Sequence, residues 1–192
     1  MSRGRSAVFL DRDGVLNVYL PGDYVKRPDE LRLIPGAARG VRALNEAGLP
    51  AFVISNQQGV AKGLMTGDDL VRVDAALHDA LGRLGARVER SYYCPHAAAD
   101  ACACRKPKAG LILQAAEEHD LDLAGSFFVG DTETDQEAAR AAGVGTFVLV
   151  LTGKHPHAAA SDDRALFATP PDHVSPDLAA AAAWIAARVA AG

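Results

Sequence analysis

Ala7-Val8-Phe9-Leu10-Asp11-Arg12-Asp13-Gly14-Val15-Leu16-Asn17 decides how this chain is read. Four apolar residues, Ala7 to Leu10, have the character of a short buried strand, and the run ends at two acids that flank one residue and precede a glycine. Ligands of open α/β sheets bind at the carboxyl ends of the strands, so burying this strand delivers Asp11 and Asp13 to a site. A carboxylate can attack phosphorus and form an aspartyl-phosphate, while a second one two residues on moves the proton. Crowded carboxylates also attract a hard cation, with Mg²⁺ the expected ion. Read alone, Asp-x-Asp-Gly is also an ordinary surface turn, because Asp and Gly are turn residues. The rest of the chain decides between the two.

Residues 18 to 34 hold Pro21-Gly22-Asp23 and Arg27-Pro28-Asp29, turn chemistry that predicts an irregular loop over the site. Pro35-Gly36 opens a helix with Ala37, Val41, Leu44 and Ala47 at helical spacing, closed by Gly48. Pro50 to Ile54 is the second strand, and Ser55-Asn56-Gln57 follows it as the acids followed the first. Thr66 and Asp69 have the spacing of a capping box, opening a helix with Leu70, Val73, Leu77, Leu81 and Leu84 on one face and Gly85 at its end. Val88 to Tyr93 is a third strand, and a helix runs from about Ala109 to His119. Phe127 to Gly130 is a strand ending at Asp131, Thr132 to Ala142 a helix, and Thr146 to Leu151 a fifth strand. Strands alternating with helices mean a doubly wound, Rossmann-like parallel α/β sheet with flanking helices. Residues 153 to 173 read as a loosely structured connection, and Ser175-Pro176-Asp177 caps a closing helix over 177 to 189. The expected organisation is one domain over residues 1–192, with its core at about 7 to 153.

Four sets of polar residues thus fall just after predicted strands or before a helix: Asp11 with Asp13, Ser55 with Asn56, Lys106, and Asp131 with Asp135. Phosphoryl transfer to a carboxylate needs a nucleophile, a cation on the phosphate oxygens, donors for those oxygens and a group that moves the proton. Asp11 is the candidate nucleophile and Asp13 the candidate acid and base. Asp11, Asp13 and Asp131 are the candidate Mg²⁺ ligands, with the backbone carbonyl as the part of Asp13 nearest the ion. Ser55, Asn56, Gln57, Arg105 and Lys106 are the candidate phosphate and substrate contacts. Taken singly, Ser55 and Asp131 are also plausible helix caps and Lys106 a solvated charge.

All three cysteines lie in one window, Cys94-Pro95-His96 followed by Cys102-Ala103-Cys104. Three thiolates and one imidazole complete a closed four-coordinate zinc site, which would fold a loop and leave no position for substrate. An odd number of cysteines argues against a disulfide framework. The other histidines, His78, His119, His155, His157 and His173, have no metal spacing.

In this order Asp-x-Asp-Gly-Val-Leu-Asn, Ser-Asn-Gln, a later Lys and Gly-Asp-x-x-x-Asp resemble the haloacid dehalogenase-like phosphatases. The resemblance implies Asp11 as nucleophile, Asp13 as acid and base, and Asp131 as a metal ligand. It also implies a Rossmann-like core without a large cap domain. Tyr-Tyr-Cys-Pro-His, the paired cysteines and Cys-Arg-Lys-Pro are similar to the D-glycero-D-manno-heptose-1,7-bisphosphate 7-phosphatases, an arrangement that histidinol-phosphate phosphatases share. By that match Arg105 recognises substrate and Lys106 stabilises the transferred phosphoryl group. The chain departs from the pattern in the short span between His96 and Cys102, and at Gln58.

Two substrates are therefore in contention. A sugar bisphosphate suits Arg105, Lys62 and Lys26, whereas cationic histidinol phosphate wants acids such as Asp23, Asp29 and Glu30. A zinc-stabilised binding module without catalysis is the reading from another class. The net charge of −4 gives no footprint for nucleic acid. Only four apolar residues precede Asp11, too few for a signal-peptide core, and the alanine-rich tail is shorter than a membrane span. A cytoplasmic monomer acting on a small sugar phosphate, with Mg²⁺ and Zn²⁺, is the resulting expectation.

Overall fold

A computed structural model of the chain describes residues 4–154 and 167–191. Six parallel strands form one sheet in the order β3-β2-β1-β4-β5-β6. They are β1 (Val8–Leu10), β2 (Ala51–Asn56), β3 (Arg90–Cys94), β4 (Phe127–Gly130), β5 (Thr146–Val150) and β6 (His173–Ser175). The helices are α1 (Ala37–Glu46), α2 (Gly67–Gly82), α3 (Gly110–His119), α4 (Glu133–Ala142) and α5 (Leu178–Ala191).

Both faces of the sheet are covered, so its central strands are apolar throughout rather than alternating. Val8, Leu10, Val53, Val129 and Val148 point to one face, where Val41 and Leu44 of α1, Leu77 and Leu81 of α2 and Ile185 of α5 meet them. Phe9, Phe52, Phe128 and Phe147 point to the other, against Ile112 and Ala115 of α3 and Ala138 and Ala139 of α4. Strand register aligns these four phenylalanines side by side, with ring centroids 6.0, 6.4 and 6.1 Å apart. Aromatic pairs at such separations add to the burial that fixes the register.

The chain leaves β1 toward β2 on one side and returns through β4 on the other, so the topological switch point lies between β1 and β4. That reversal sets Asp11 and Asp131 side by side at the carboxyl edge. Among the described residues, the connection from β1 to α1 carries one short 3-10 turn, Pro28–Glu30, and that from β2 to α2 carries only turns.

The predicted capping box of α2 is present, with the Asp69 N–H donating to Thr66 Oγ1 (3.1 Å) and the Thr66 N–H to Asp69 Oδ2 (2.7 Å). Leu84, expected on the buried face of α2, is exposed, because the helix ends at Gly82 and the chain turns away through Gly85 at φ +74°. The predicted loose connection ends in a strand: β6 pairs Ser175 with Val150. Ser175 is thereby withdrawn from capping, and Asp177 Oδ1 instead accepts the Ala180 N–H (2.8 Å) at the start of α5. Residues 155–166 of that connection, His155 and His157 among them, lie outside the described residues. No helix among the described residues is long and apolar enough to cross a membrane.

Candidate active site

The carboxyl edge opens into a cavity of about 340 Å³ lined by residues at or beyond the ends of different strands, among them Asp11, Ser55, Arg105, Lys106, Asp131 and Lys154. Asp11 continues β1 and donates its backbone N–H to Val129 O of β4 (3.0 Å). The Arg12 N–H then turns back onto Asp11 Oδ1 (2.8 Å). The Lys106 ammonium lies 2.9 Å from the same oxygen and 2.6 Å from Asp135 Oδ1, and it donates to Ile54 O (2.8 Å). Oδ2 of Asp11 has no hydrogen-bond donor among the described residues. Burial raises the Asp11 carboxyl to about 6 even though Lys106 opposes the rise, and Asp135 and Asp13 add to it. Burial disfavours the Lys106 ammonium, but Asp11 and Asp135 outweigh it and hold the lysine above its ordinary value.

Asp13 lines the same cavity but is held by a different set of partners. Arg12 Nη2 is 3.2 and 3.1 Å from its two oxygens, Asn17 Nδ2 donates to Oδ1 (2.9 Å), and Gln57 Nε2 donates to Oδ2 (2.7 Å). Burial would raise this carboxyl; Arg12 and then the two amides more than offset it, so Asp13 is held below the ordinary carboxylate range. Arg12 itself is entirely buried, and its guanidinium carbon lies 5.7 Å from the centroid of the Tyr93 ring. Nothing in the sequence reading singled out Arg12, although a charged residue directly after a fully buried strand was a signal that it needed an internal partner.

The carboxylates that cluster are Asp11, Asp131 and Asp135. Of the expected Mg²⁺ set of Asp11, Asp13 and Asp131, Asp13 was to contribute its backbone carbonyl; its side chain is neutralised by Arg12 outside the carboxylate group, and Asp135 stands inside that group. Asp135 is largely occupied. Its Oδ2 accepts from the N–H groups of Asp131 (3.2 Å) and Thr132 (3.1 Å) and from Thr132 Oγ1 (2.7 Å), capping α4, while Oδ1 faces Lys106. Asp131 Oδ2 accepts the Lys154 N–H (2.9 Å), but its buried Oδ1 has no partner among the described residues. Burial, then Asp135 and Asp11, push Asp131 up to about 8. Three acids against one ammonium, with a buried oxygen unpartnered, fit a divalent cation held by Asp11 and Asp131.

Ser55 is buried and lines the cavity, its hydroxyl accepting from Gln57 Nε2 (3.2 Å). Asn56, expected on phosphate, grips the backbone of Lys106 instead: its Nδ2 donates to Lys106 O and its Oδ1 accepts the Lys106 N–H, both at 3.0 Å. Gln57, also expected on phosphate, is fully buried and braces Asp13 and Ser55. These two amides position the neighbours that face the cavity. Tyr19 and Tyr24 of the loop after β1, and Lys154 after β5, line the cavity without having been singled out in the sequence. Lys26 is tied to Asp23 (2.6 Å), and Arg27 pairs with Asp29 (3.4 Å) and Glu30 (3.1 Å). The acids weighed for a cationic substrate therefore already have cationic partners.

Beside the cavity, Cys94 Sγ, His96 Nδ1, Cys102 Sγ and Cys104 Sγ converge. Cys94 is 3.6 Å from His96, 3.6 Å from Cys102 and 3.2 Å from Cys104, and Cys104 is 3.2 Å from His96 and 3.4 Å from Cys102. A tetrahedron with metal–sulfur bonds of about 2.3 Å has edges of about 3.8 Å, so the four atoms have close to the spacing of one metal shell. The short span from His96 to Cys102 closes on this grouping through a 3-10 turn, Ala98–Asp100, and Ala101 in the left-handed conformation at φ +49°. Lys108 braces the loop by donating to Ala101 O and Cys102 O (2.7 Å each), and Arg105 Nη1 reaches His96 O (3.4 Å).

A HAD-hydrolase-like family model matches residues 103–181. A D-glycero-D-manno-heptose-1,7-bisphosphate 7-phosphatase of Thermosynechococcus vestitus is 39% identical over 202 residues, covering 97% of this chain and 98% of the relative. A D-glycero-beta-D-manno-heptose-1,7-bisphosphate 7-phosphatase of Rhodopseudomonas palustris is 42% identical over 150 residues, 74% of this chain and 82% of its own length. The crystal structure of the D,D-heptose 1,7-bisphosphate phosphatase from B. bronchiseptica, complexed with magnesium and phosphate, matches with a TM-score of 0.85 and 35% identity over 95% of this chain and 99% of that one.

Proposed function

This chain belongs to the haloacid dehalogenase-like phosphatases, in the family of the heptose-1,7-bisphosphate 7-phosphatases, and we propose that it removes the 7-phosphate of D-glycero-D-manno-heptose 1,7-bisphosphate through an aspartyl-phosphate on Asp11. The observation that carries this reading is the division of labour on Asp11: Oδ1 is held by Lys106 and the Arg12 N–H, while Oδ2 is left free in a residue that lines the cavity. Oδ2 attacks phosphorus, and the bond to the sugar oxygen breaks. A water then attacks the phosphoenzyme, breaking the bond to Asp11 and releasing inorganic phosphate.

Asp13, ionised between Arg12, Asn17 and Gln57, is in the form that accepts the proton of that water. Once protonated, it returns the proton to the leaving alkoxide of the next turnover. Lys106 and Ser55 donate to the transferred phosphoryl oxygens. Asp11 and Asp131 hold Mg²⁺, which supplies charge neutralisation for those oxygens when bound. Cys94, His96, Cys102 and Cys104 hold a structural zinc that keeps Arg105 and Lys106 at the cavity wall.

Lys62, Arg105 and Lys154, which line this cavity, supply the positive charge that a second phosphate calls for, which supports a bisphosphate over histidinol phosphate. Phosphate release from the heptose bisphosphate and from histidinol phosphate, measured side by side with Mg²⁺, tests the proposal. We expect the bisphosphate to be the better substrate by kcat/KM; equal or better turnover of histidinol phosphate overturns the assignment. We further propose that residues 1–192 form one domain and that the protein works as a cytoplasmic monomer, without nucleic-acid or membrane partners.

A further inference from the structure

Three consecutive residues just after β5 touch two parts of the site, the turn after Asp13 and the Asp131 carboxylate. The Thr152 hydroxyl donates to Gly14 O (2.6 Å), in the turn that follows Asp13. The Lys154 N–H donates to Asp131 Oδ2 (2.9 Å), and the Lys154 ammonium lies 5.8 Å from the centroid of Tyr19 in the loop lining the cavity. Between them Gly153 is buried against Asp131 so closely that a Cβ there would overlap the carboxylate and lie 2.7 Å from Asp131 Cβ. Its φ is not positive, so space and not backbone conformation demands the glycine. Next to it, a Cβ on Gly14 would stand 2.6 Å from Asp131 Oδ2 and 2.8 Å from Gly153 Cα. Oδ2 of the Asp131 carboxylate is therefore packed against two adjacent glycine backbones and fixed by a backbone N–H, and Oδ1 is left without a partner among the described residues.

We infer that Thr152-Gly153-Lys154 is a positioning element for the metal: it aims Oδ1 of Asp131 at the cation, through Gly153's missing side chain and Lys154's backbone N–H and not through the lysine ammonium. A buried carboxylate with one oxygen fixed presents the other in a single orientation, and outer partners of this kind commonly change metal affinity by about 10–100-fold when removed. The inference rests on Asp131 as a metal ligand. Metal binding measured without substrate keeps its failure distinct from that of the phosphatase reading.

The test is calorimetric titration of substrate-free protein with Mg²⁺, and Mn²⁺ titration followed by electron paramagnetic resonance, on G153A, T152V and K154M. We expect G153A to weaken binding by about tenfold or more, T152V to weaken it by a smaller factor, and K154M, which keeps the N–H, to bind as the parent does. The metal-free melting temperature of T152V should stay at the parent value while its affinity falls, which a merely structural role would not produce. Parent affinity in folded G153A overturns the inference, as does K154M losing as much affinity as G153A. If G153A does not fold, T152V decides, and parent affinity there overturns it.

Discussion

Arg12 lies behind Asp13 with Nη2 at 3.2 and 3.1 Å from its two carboxylate oxygens, a fork between neighbours in sequence in which the cation is wholly buried and the anion faces the site. Removing the cation leaves a carboxylate that only two neutral amides hold. Arg12→Met should therefore destabilise the fold by about 3 kcal/mol, the low end for breaking a buried pair because Asp13 keeps some solvent contact. It should also lower kcat more than it raises KM. Arg12→Lys should recover part of the stability and less of the rate, since an ammonium is more strongly hydrated than a guanidinium and so costs more to bury. Urea denaturation and steady-state kinetics check both; unchanged kcat in Arg12→Met would detach Arg12 from Asp13's work.

Asp11→Asn should abolish phosphate release, by at least about a thousandfold, and leave the circular dichroism unchanged. Asp13→Asn should fall by about 10²–10⁴-fold, with esters of poor leaving alcohols suffering more than aryl esters, because only the former need the proton during bond breaking. A loss independent of the leaving group would remove Asp13 from the acid step.

Cys102→Ser should lose the bound zinc, found by metal analysis at about one per chain in the parent protein. Arg105 Nη1 on His96 O and the Lys106 backbone directly after the loop tie the shell to the cavity wall. Small displacement of positioning groups can cost about a hundredfold in rate. The bisphosphate should suffer more than a generic phosphate ester that does not need Arg105. Full activity in zinc-free protein would sever the loop from catalysis.

Stability of the metal-free protein should depend on pH through the acids that a cation would neutralise. Asp11 at about 6 and Asp131 at about 8 both lie above the ordinary carboxyl value of 3.8, so the folded state binds more protons than the unfolded one between these values. Their contribution is fully present below the ordinary value and is lost as pH rises through about 6 and then about 8. Thermal melting in a chelator should fall from pH 5 toward pH 9, and Mg²⁺ should restore most of the loss at the alkaline end because it binds the ionised folded state. A melting temperature that rises over this range in chelator would contradict the crowding of Asp11, Asp131 and Asp135.

What the sequence determined by itself is local. Whether Val8 to Leu10 is buried, where Thr66 starts a helix, and that Cys94, His96, Cys102 and Cys104 share one loop all follow from neighbours a few residues apart, because capping, periodicity and ligand spacing are short-range effects. The alternation of strands and helices also implied a doubly wound sheet, but the place where its strand order reverses, which puts Asp11 and Asp131 together, was decided by the tertiary structure.

The assignment of individual polar atoms was decided only by the tertiary structure. Gln57 finds Asp13 across 44 positions, Asn56 finds Lys106 across 50, and Lys154 finds Asp131 across 23. Buried polar atoms take whichever partner the packed backbones bring within hydrogen-bond reach, so residue type alone could not tell an amide that holds phosphate from one that holds a neighbour. For the same reason the sequence did not show that Asp135 joins Asp11 and Asp131 in the carboxylate cluster: Arg12 neutralises the side chain of Asp13, and the first turn of α4 points Asp135 in. The short strand β6 was hidden because three residues carry too little periodicity, and its pairing depends on the exposed edge of β5.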